Sequence, residues 1–341
     1  MTPYPERMPV RLKDVAQHAG VSVKTVSNVV NDYGHVSPAM RTRVQAALDE
    51  LGYRPNLAAR QLKHGRGGFI ALALPQLDTP YFAQLAARLQ EEATRRSFLL
   101  LLDVTGADAE QERRALSGMP AHMVDGVIFS PLNVTQEEIE ARTDHIPLVL
   151  LGERQRASLY DHVAVDSVAA SRAVGQHLVS TGRRRLATIG HQVHEGTGQV
   201  RLAGFADAVR TAGLSLPPER TVELASYSRE AGHAAMRSLL ALPPEERPDA
   251  VFAFSDVLAI GALRACLEAG VRVPEDVAVV GFDDIAEAGF HTPTLTSVRP
   301  DLRFLASSVL DLLIRRIDGS TEAPQEVAVP WELVIRESSG G

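Results

Sequence analysis

From Phe69 onward, short apolar runs alternate with stretches of helical period, and few architectures accept that rhythm. The runs Phe69–Leu74, Phe98–Asp103, Gly126–Phe129, Leu148–Leu151, His162–Val165, Leu186–Ile189, Thr221–Leu224, Ala250–Phe254 and Val277–Val280 are strand candidates. Tyr81–Arg95, Ser167–Ser180, Arg201–Ala212, Arg229–Leu240 and Val257–Ala269 repeat their apolar residues at helical spacing. Strands that are apolar throughout and separated by helices belong in parallel sheets covered on both faces. So many strands exceed one small sheet, and the economical arrangement is two similar α/β lobes with a cleft between them. The 341 residues suffice for that and for a further small domain, at roughly 100–200 residues per domain.

The residues before Phe69 follow a different rule. Leu12, Val15, Ala16 and Ala19 recur at helical spacing, and Gly20 breaks the helix. Ser22 is placed to cap a second helix carrying Val23, Val26, Val29 and Val30. Ser37-Pro38 reads as the start of a third, with Ser at the cap and Pro at the first helical position. Met40, Val44, Ala47, Leu48 and Leu51 line its face, and Gly52 ends it. A short fourth helix is expected over 56–63, followed by a flexible joint at Gly65, Gly67 and Gly68.

Charge divides at the same place. Residues 1–66 carry a net charge of +5 within a chain of net charge -7, so the remainder stands at -12. All three lysines, Lys13, Lys24 and Lys63, fall in the basic piece. A small basic head on an acidic body suits contact with a polyanion, although a short segment also reaches such a balance by chance. The spacing within Leu12–Asn31 meets the demands of a helix-turn-helix. Ala16 is small enough for two helices to cross, Gly20 tolerates the positive φ of the turn, and Val21 and Val26 plug the space between the helices. The second helix of such a unit enters the major groove of DNA.

The wording of these residues resembles the LacI/GalR family of bacterial transcriptional regulators. The resemblance is carried by LKDVA..AGVS..TVS.V.N, a following VS, and LGYRPN.AAR.L, and it continues through PYF at 80–82, VDG at 124–126, RLAGF at 201–205, FSD at 254–256 and VPEDVAVVGFDD at 273–284. It covers essentially the whole chain and is weaker over 104–122 and 152–161. The implied fold is a small all-α helix-turn-helix head on an α/β, two-lobed body similar to periplasmic binding proteins, with parallel sheets flanked by helices. The head would span 1–66, including the hinge helix at 56–63. The effector-binding and dimerisation domain would span 68–341. Its N-lobe would take about 68–166 plus 300–320, and its C-lobe about 167–297 plus 323–341.

The resemblance also implies roles. Val23, Lys24 and Asn28 stand where the family reads base edges: Lys24 can donate to guanine, Asn28 can pair with adenine, and Val23 can touch a thymine methyl. Many relatives carry Arg in place of Asn28, and the alternative for Lys24 is a solvated surface lysine. Ser22, Thr25, Ser27 and Asn31 are expected on phosphates, which fix register without reading sequence. Ala58, Ala59 and Leu62 fall in the hinge helix, which should fold when two copies meet in the minor groove, with Leu62 wedged between base pairs. The expected partners are an operator in double-stranded DNA, a second copy of the chain, and a small-molecule effector, with a carbohydrate as the favoured class. Asp78, Phe82, Ser130, Arg201, Tyr227, Asp256 and Asp283 follow strand ends or open helices, where such a ligand would sit. Arg201 and Asp283 would clamp hydroxyls and Tyr227 would stack on a ring. Asp256 and Asp283 could instead cap helices, and Arg201 could instead serve a structural salt bridge. The chain departs from the family at Leu151-Gly152-Glu153-Arg154, where many relatives have Val-Asp-Arg, at Ser255, where Asn is common, and at Pro300, where a polar residue is common.

Enzymatic readings find little support. His191, His194 and Glu195 match neither zinc-protease spacing. Gly196-Thr197-Gly198 lacks the third glycine of a dinucleotide loop, and no phosphate-binding GxxxxGK[ST] or nucleophile-elbow GxSxG occurs. The single cysteine, Cys266, leaves no internal disulfide and no CxxC site. No catalytic residue, metal or cofactor is expected. A solute-binding module and a cytosolic α/β enzyme such as a dehydrogenase are the alternatives. No stretch of about 18 apolar residues occurs, and the first residues lack a signal-peptide apolar core, so the expected location is the cytoplasm, at the nucleoid, without a membrane partner.

Overall fold

The computed structural model describes residues 10–30, 36–53, 67–117, 123–153, 159–191 and 196–340. The chain divides into two compact units, Met1–Gly67 and Gly68–Gly341. The expected hinge helix at 56–63, with Ala58, Ala59 and Leu62, lies outside the described residues, as do Asn31, His194 and Glu195.

In the first unit, α1 (Leu12–Ala19), α2 (Val23–Val30) and α3 (Pro38–Leu51) enclose Val15, Ala16, Ala19, Val26, Val29, Val44, Ala47 and Leu48. Local chemistry sets each boundary. The Asp14 carboxylate accepts the Arg11 backbone N–H at 2.8 Å. Gly20 ends α1 in the left-handed region, at φ 61°, and the Arg43 guanidinium donates to its carbonyl at 3.2 Å. The Ser22 hydroxyl accepts the Thr25 N–H at 3.1 Å and caps α2. Ser37 caps α3 through the Met40 N–H, with Pro38 in the first turn. Tight turns and caps matter here, because helices of eight residues are marginal alone and depend on their packing.

The second unit holds two six-stranded sheets. In the first, the order is β11 (Glu326–Val329), β5 (Asp161–Val165), β4 (Leu148–Leu151), β3 (Gly126–Phe129), β1 (Phe69–Leu74) and β2 (Leu99–Val104), all parallel. In the second, the order is β12 (Trp331–Val334), β10 (Thr296–Pro300), β9 (Ala278–Phe282), β8 (Ala250–Ala253), β6 (Leu186–His191) and β7 (Thr221–Glu223). Only β12 runs antiparallel there, against β10.

Helices cover both faces of each sheet. On one face of the first sheet, α4 (Pro80–Arg95) and α11 (Leu302–Ile317) bury Leu85, Leu89, Leu305, Val309 and Leu313 against Ile70 and Leu72. On the other lie α5 (Ala109–Ser117) and α6 (Gln136–Glu140). The second sheet is flanked by α7 (Ser167–Ser180) and α8 (Thr197–Thr211) on one side and by α9 (Arg229–Leu240) and α10 (Asp256–Glu268) on the other. The chain crosses between lobes three times, from β5 into α7, from β10 into α11 and from β11 into β12.

The nine expected strands all correspond to observed ones, and β10, β11 and β12 come in addition. These three have short or broken apolar runs: β10 reads TSVRP, β11 has only Val327-Ala328-Val329 after Glu326, and β12 places Glu332 between Trp331 and Leu333. One expected lobe boundary shifts. The expectation places all of 323–341 in the second lobe, but β11 pairs with β5, so the chain returns to the first sheet before its last crossing.

Candidate effector cleft and DNA-reading helix

In the head, the three residues expected to read bases lie away from the Val26 and Val29 face of α2. Val23 and Lys24 are exposed, and Asn28, one turn beyond Lys24, is half-buried. The Ser22 and Thr25 hydroxyls are 2.9 Å apart at the start of the same helix. The helix thus offers its N-terminal half outward while Val26 and Val29 join the core, the arrangement a major-groove reader needs.

In the body, a cavity of about 230 Å³ opens between the lobes at the C-terminal ends of the parallel strands. Thr79, which precedes α4, and Tyr81 and Phe82 in its first turn reach the cavity, as do Ser130 to Leu132 from beyond β3 and Gly152 and Glu153 from beyond β4. Thr197 and Arg201 come from α8, and Ser226, Tyr227, Ser255 and Asp283 from the ends of β7, β8 and β9. Tyr81 and Phe82 meet edge to face, with centroids 5.2 Å apart. Burial pushes both the Tyr81 and the Tyr227 hydroxyls well above the usual tyrosine range. The Tyr227 hydroxyl donates to the Gly190 carbonyl at 2.7 Å, which fixes the ring at the cleft.

The rim of the first lobe is held by a buried acid. Glu112, on α5, accepts the N–H groups of Leu132, Asn133 and Val134 at 2.9, 2.7 and 2.9 Å. The second lobe aims Arg201. Gly204, one turn on, lets α8 lie against the Val168 backbone of α7, where a Cβ would collide with the Val168 carbonyl. Arg201 is buried, its guanidinium carbon is 3.4 Å from the Phe282 ring centroid, and it donates to the Phe254 carbonyl. Its Nη2 meets Glu153 Oε1 of the opposite lobe at 2.8 Å, and its Nη1 lies 3.9 Å from Asp283 Oδ1.

Asp283 adopts φ 108°, a left-handed value that side chains avoid unless the surroundings impose it. Its carboxyl is pushed up to about 7, chiefly by burial, with Arg201 pulling it down and Glu153 pushing it up.

Of the residues expected at the effector, Phe82, Ser130, Arg201, Tyr227 and Asp283 line this cavity together. Asp78 does not. It is exposed on the β1–α4 connection, turned to solvent. Asp256 does not either. It is fully buried behind the cleft, accepting the Ile285 N–H at 2.8 Å and the Ser297 hydroxyl at 2.6 Å, while Ser255 caps α10. Pro300 lies in a separate cleft beside Trp331. Glu153 is a lining residue that the motifs do not single out as a ligand, and Tyr81, within the PYF motif, lines the cavity beside Phe82. Glu153 stands in plain view as a departure from the family wording, and the charge it brings next to Arg201 is the available signal. Among the described residues no cluster of His, Cys, Asp and Glu could hold a metal ion, and no helix is long and apolar enough to cross a membrane.

Comparison with known proteins agrees with both units. Residues 11–56 match the model of bacterial regulatory proteins of the lacI family, and residues 175–339 match a periplasmic binding protein-like domain. The chain is 33% identical over 335 residues to the HTH-type transcriptional repressor PurR of Escherichia coli O139:H28, with 96% of each chain covered. Among solved structures, the lac repressor dimer bound to operator and the anti-inducer ONPF is 28% identical, with a TM-score of 0.82 over 97% of this chain and 99% of that one. A complex of the transcriptional regulator CelR with cellobiose is 32% identical, with a TM-score of 0.72 over 96% of this chain and 99% of that one. These relatives are transcriptional regulators, not enzymes. On the length and identity of these matches, the chain belongs to the lacI family of bacterial regulatory proteins.

Proposed function

We propose that this regulator is a repressor that grips a pseudo-palindromic operator as a homodimer and is gated by a carbohydrate held in the cleft between its lobes. The observation that carries the DNA reading is the capped helix α2, whose exposed Val23 and Lys24 and half-buried Asn28 stand clear of the core. Lys24 would donate to guanine O6 and N7, Asn28 would take an adenine edge, and Val23 would meet a thymine methyl. Ser22 and Thr25 at the start of the same helix, Ser27 in its middle, and Asn31 would serve phosphates, while Ala58, Ala59 and Leu62 would act in the minor groove. Such a protein works where the chromosome is, in the cytoplasm.

A two-fold protein reads a two-fold site. The free edge of the first sheet supports the second copy: β2 leaves Leu99, Leu102 and Val104 about half exposed, and an unpaired apolar edge strand is a surface that calls for a partner.

The cleft supports the carbohydrate. Tyr81, Phe82 and Tyr227 supply flat apolar faces for C–H patches, and Arg201, Asp283, Ser130 and Ser226 supply donors and acceptors for hydroxyls. Because these groups come from both lobes, a ligand there favours one lobe angle over another, and a coupling of about 1–3 kcal/mol changes operator affinity roughly 5–150-fold. A gel-shift titration of the full chain on operator-like palindromes, with and without a panel of sugars, tests the whole reading. The expected result is salt-sensitive, palindrome-dependent binding that one sugar class shifts by at least about fivefold. Binding indifferent to both salt and sequence refutes it.

A further inference from the structure

Among the described residues that line the effector cleft, the charged side chains are Glu153, Arg201 and Asp283, so two carboxylates face one guanidinium. All three are nearly buried. Glu153 reaches over from the first lobe and accepts from Arg201 Nη2 at 2.8 Å and from the Ser167 hydroxyl through the same oxygen, Oε1. Its other oxygen, Oε2, is buried and has no hydrogen-bond partner among the described residues. Phe282 covers one face of the guanidinium, the Phe254 carbonyl takes Nη1 and Glu153 takes Nη2, while Nε has no partner among the described residues, so a ligand acid that seeks Nη2 meets Glu153 there.

We propose that Glu153 is a specificity-determining residue of this site, restricting it to neutral polyhydroxylated ligands and excluding sugar acids and sugar phosphates. The inference rests on the carbohydrate reading above. A ligand carboxylate or phosphate reaching Arg201 Nη2 would have to displace Glu153 and then sit beside its negative charge, with the Asp283 carboxyl close by, in a desolvated space. Like charges brought together in such surroundings weaken binding severely. A neutral hydroxyl meets the opposite situation. It can donate to Glu153 Oε2, satisfying a buried acceptor that otherwise lacks a partner, while accepting from the guanidinium. Glu153 thus acts as a resident anion that neutralises Arg201 before any ligand arrives, and it requires a hydrogen-bond donor from the ligand.

The test is calorimetric titration of the full chain with two matched sets of probes. The neutral set is D-glucose, D-galactose and cellobiose. The acidic set is D-glucuronate, D-galacturonate, cellobionate and glucose 6-phosphate. The wild type should bind a neutral probe at least about a hundredfold more tightly than its acidic counterpart. Glu153→Gln, which keeps the shape and removes the charge, should shrink that ratio at least about tenfold by admitting the acid. Glu153→Asp, which keeps the charge, should retain the exclusion and so separates charge from misfolding. A wild type that takes acid and neutral sugar equally, or a ratio unchanged in Glu153→Gln, overturns the role of Glu153 and leaves the carbohydrate reading standing. Tight binding of an acidic probe with no neutral probe bound overturns the role of Glu153 outright. Binding of no probe in either set overturns the carbohydrate reading, and the inference falls with it.

Discussion

The Asp256 carboxylate accepts a hydrogen bond from the Ser297 hydroxyl at 2.6 Å, and that hydroxyl in turn accepts the Asp284 N–H at 3.1 Å. Asp256 also takes the Ile285 N–H, so one buried acid ties down the backbone on both sides of Asp284 and, through it, the left-handed Asp283 at the cleft. Gly281 is part of the same device, because a Cβ there would run into the Asp256 carboxylate. Asp256→Ala would leave the Ser297 hydroxyl and the Ile285 N–H without their acceptor, at about 1–3 kcal/mol for each unsatisfied group. The expected outcome is a lower melting temperature of the body and a weakened effector response, with operator binding by the head retained below that temperature. Scanning calorimetry and gel shift check it, and an unchanged melting temperature contradicts it.

Asp283 makes the stability of the body depend on pH in a direction opposite to most carboxylates. Burial raises its folded value to about 7, above the ordinary aspartate range it keeps when unfolded. Between those two values the folded state holds the proton more firmly, so stability is fully present below the unfolded value and is lost as pH rises toward 7. Asp256, also pushed up by burial, acts in the same sense. Asp283→Asn should therefore flatten the fall in melting temperature between about pH 4 and 7 without abolishing it. Equal slopes in both proteins would show that Asp283 titrates normally.

A side chain at Gly20 is expected to destabilise the head. Alanine there costs about 1–2 kcal/mol for its left-handed φ, and its Cβ would push the Arg43 guanidinium off the Gly20 carbonyl. Gly20→Ala should speed amide hydrogen exchange in α1 and α2 and weaken operator binding. The exchange rates of body amides should not change.

Lys24→Ala should cost about 1–3 kcal/mol of discrimination at one base pair in each half-site, with relaxed preference there. A loss of affinity spread evenly over all sequences would instead assign Lys24 to a phosphate. Competition binding with single-base operator variants distinguishes the two.

Leu62→Ala should weaken specific operator binding at least about tenfold, since a wedge side chain gains its contacts from the kinked duplex. Effector binding to the body should stay as in the wild type. Equal operator affinity in the variant refutes the wedge.

Much of this architecture is legible in the order of the residues alone. Strands such as Ile70–Leu74 and Val277–Val280 sit in the middle of parallel sheets, so they are apolar on both faces and stand out in the chain. Gly20, Ser22 and Ser37-Pro38 mark helix ends by backbone chemistry that acts locally. The edge strands β11 and β12 carry Glu326 and Glu332 and blend into loops, whereas the edge strand β2 stands out by its run of leucines. The cleft is legible in part for a related reason. Arg201 and Asp283 announce themselves through the motifs around them, and both face the cavity. Asp256 is equally conspicuous in its motif, yet its carboxylate turns the other way, toward Ser297 and Ile285. A motif states which residue is present, but the direction of a side chain depends on partners 29 and 41 residues away.

The last crossing between the lobes has a practical consequence. β12 begins at Trp331, immediately after the chain leaves Pro330, and this is the only tryptophan in the sequence. It is half-buried beside Arg299 and Leu302, next to a second crossing segment. A pivot of one lobe against the other is expected to change the solvation of that indole. Unlabelled emission spectra would then serve as an optical gauge: a shift on adding effector is the expected sign of lobe motion, read in real time.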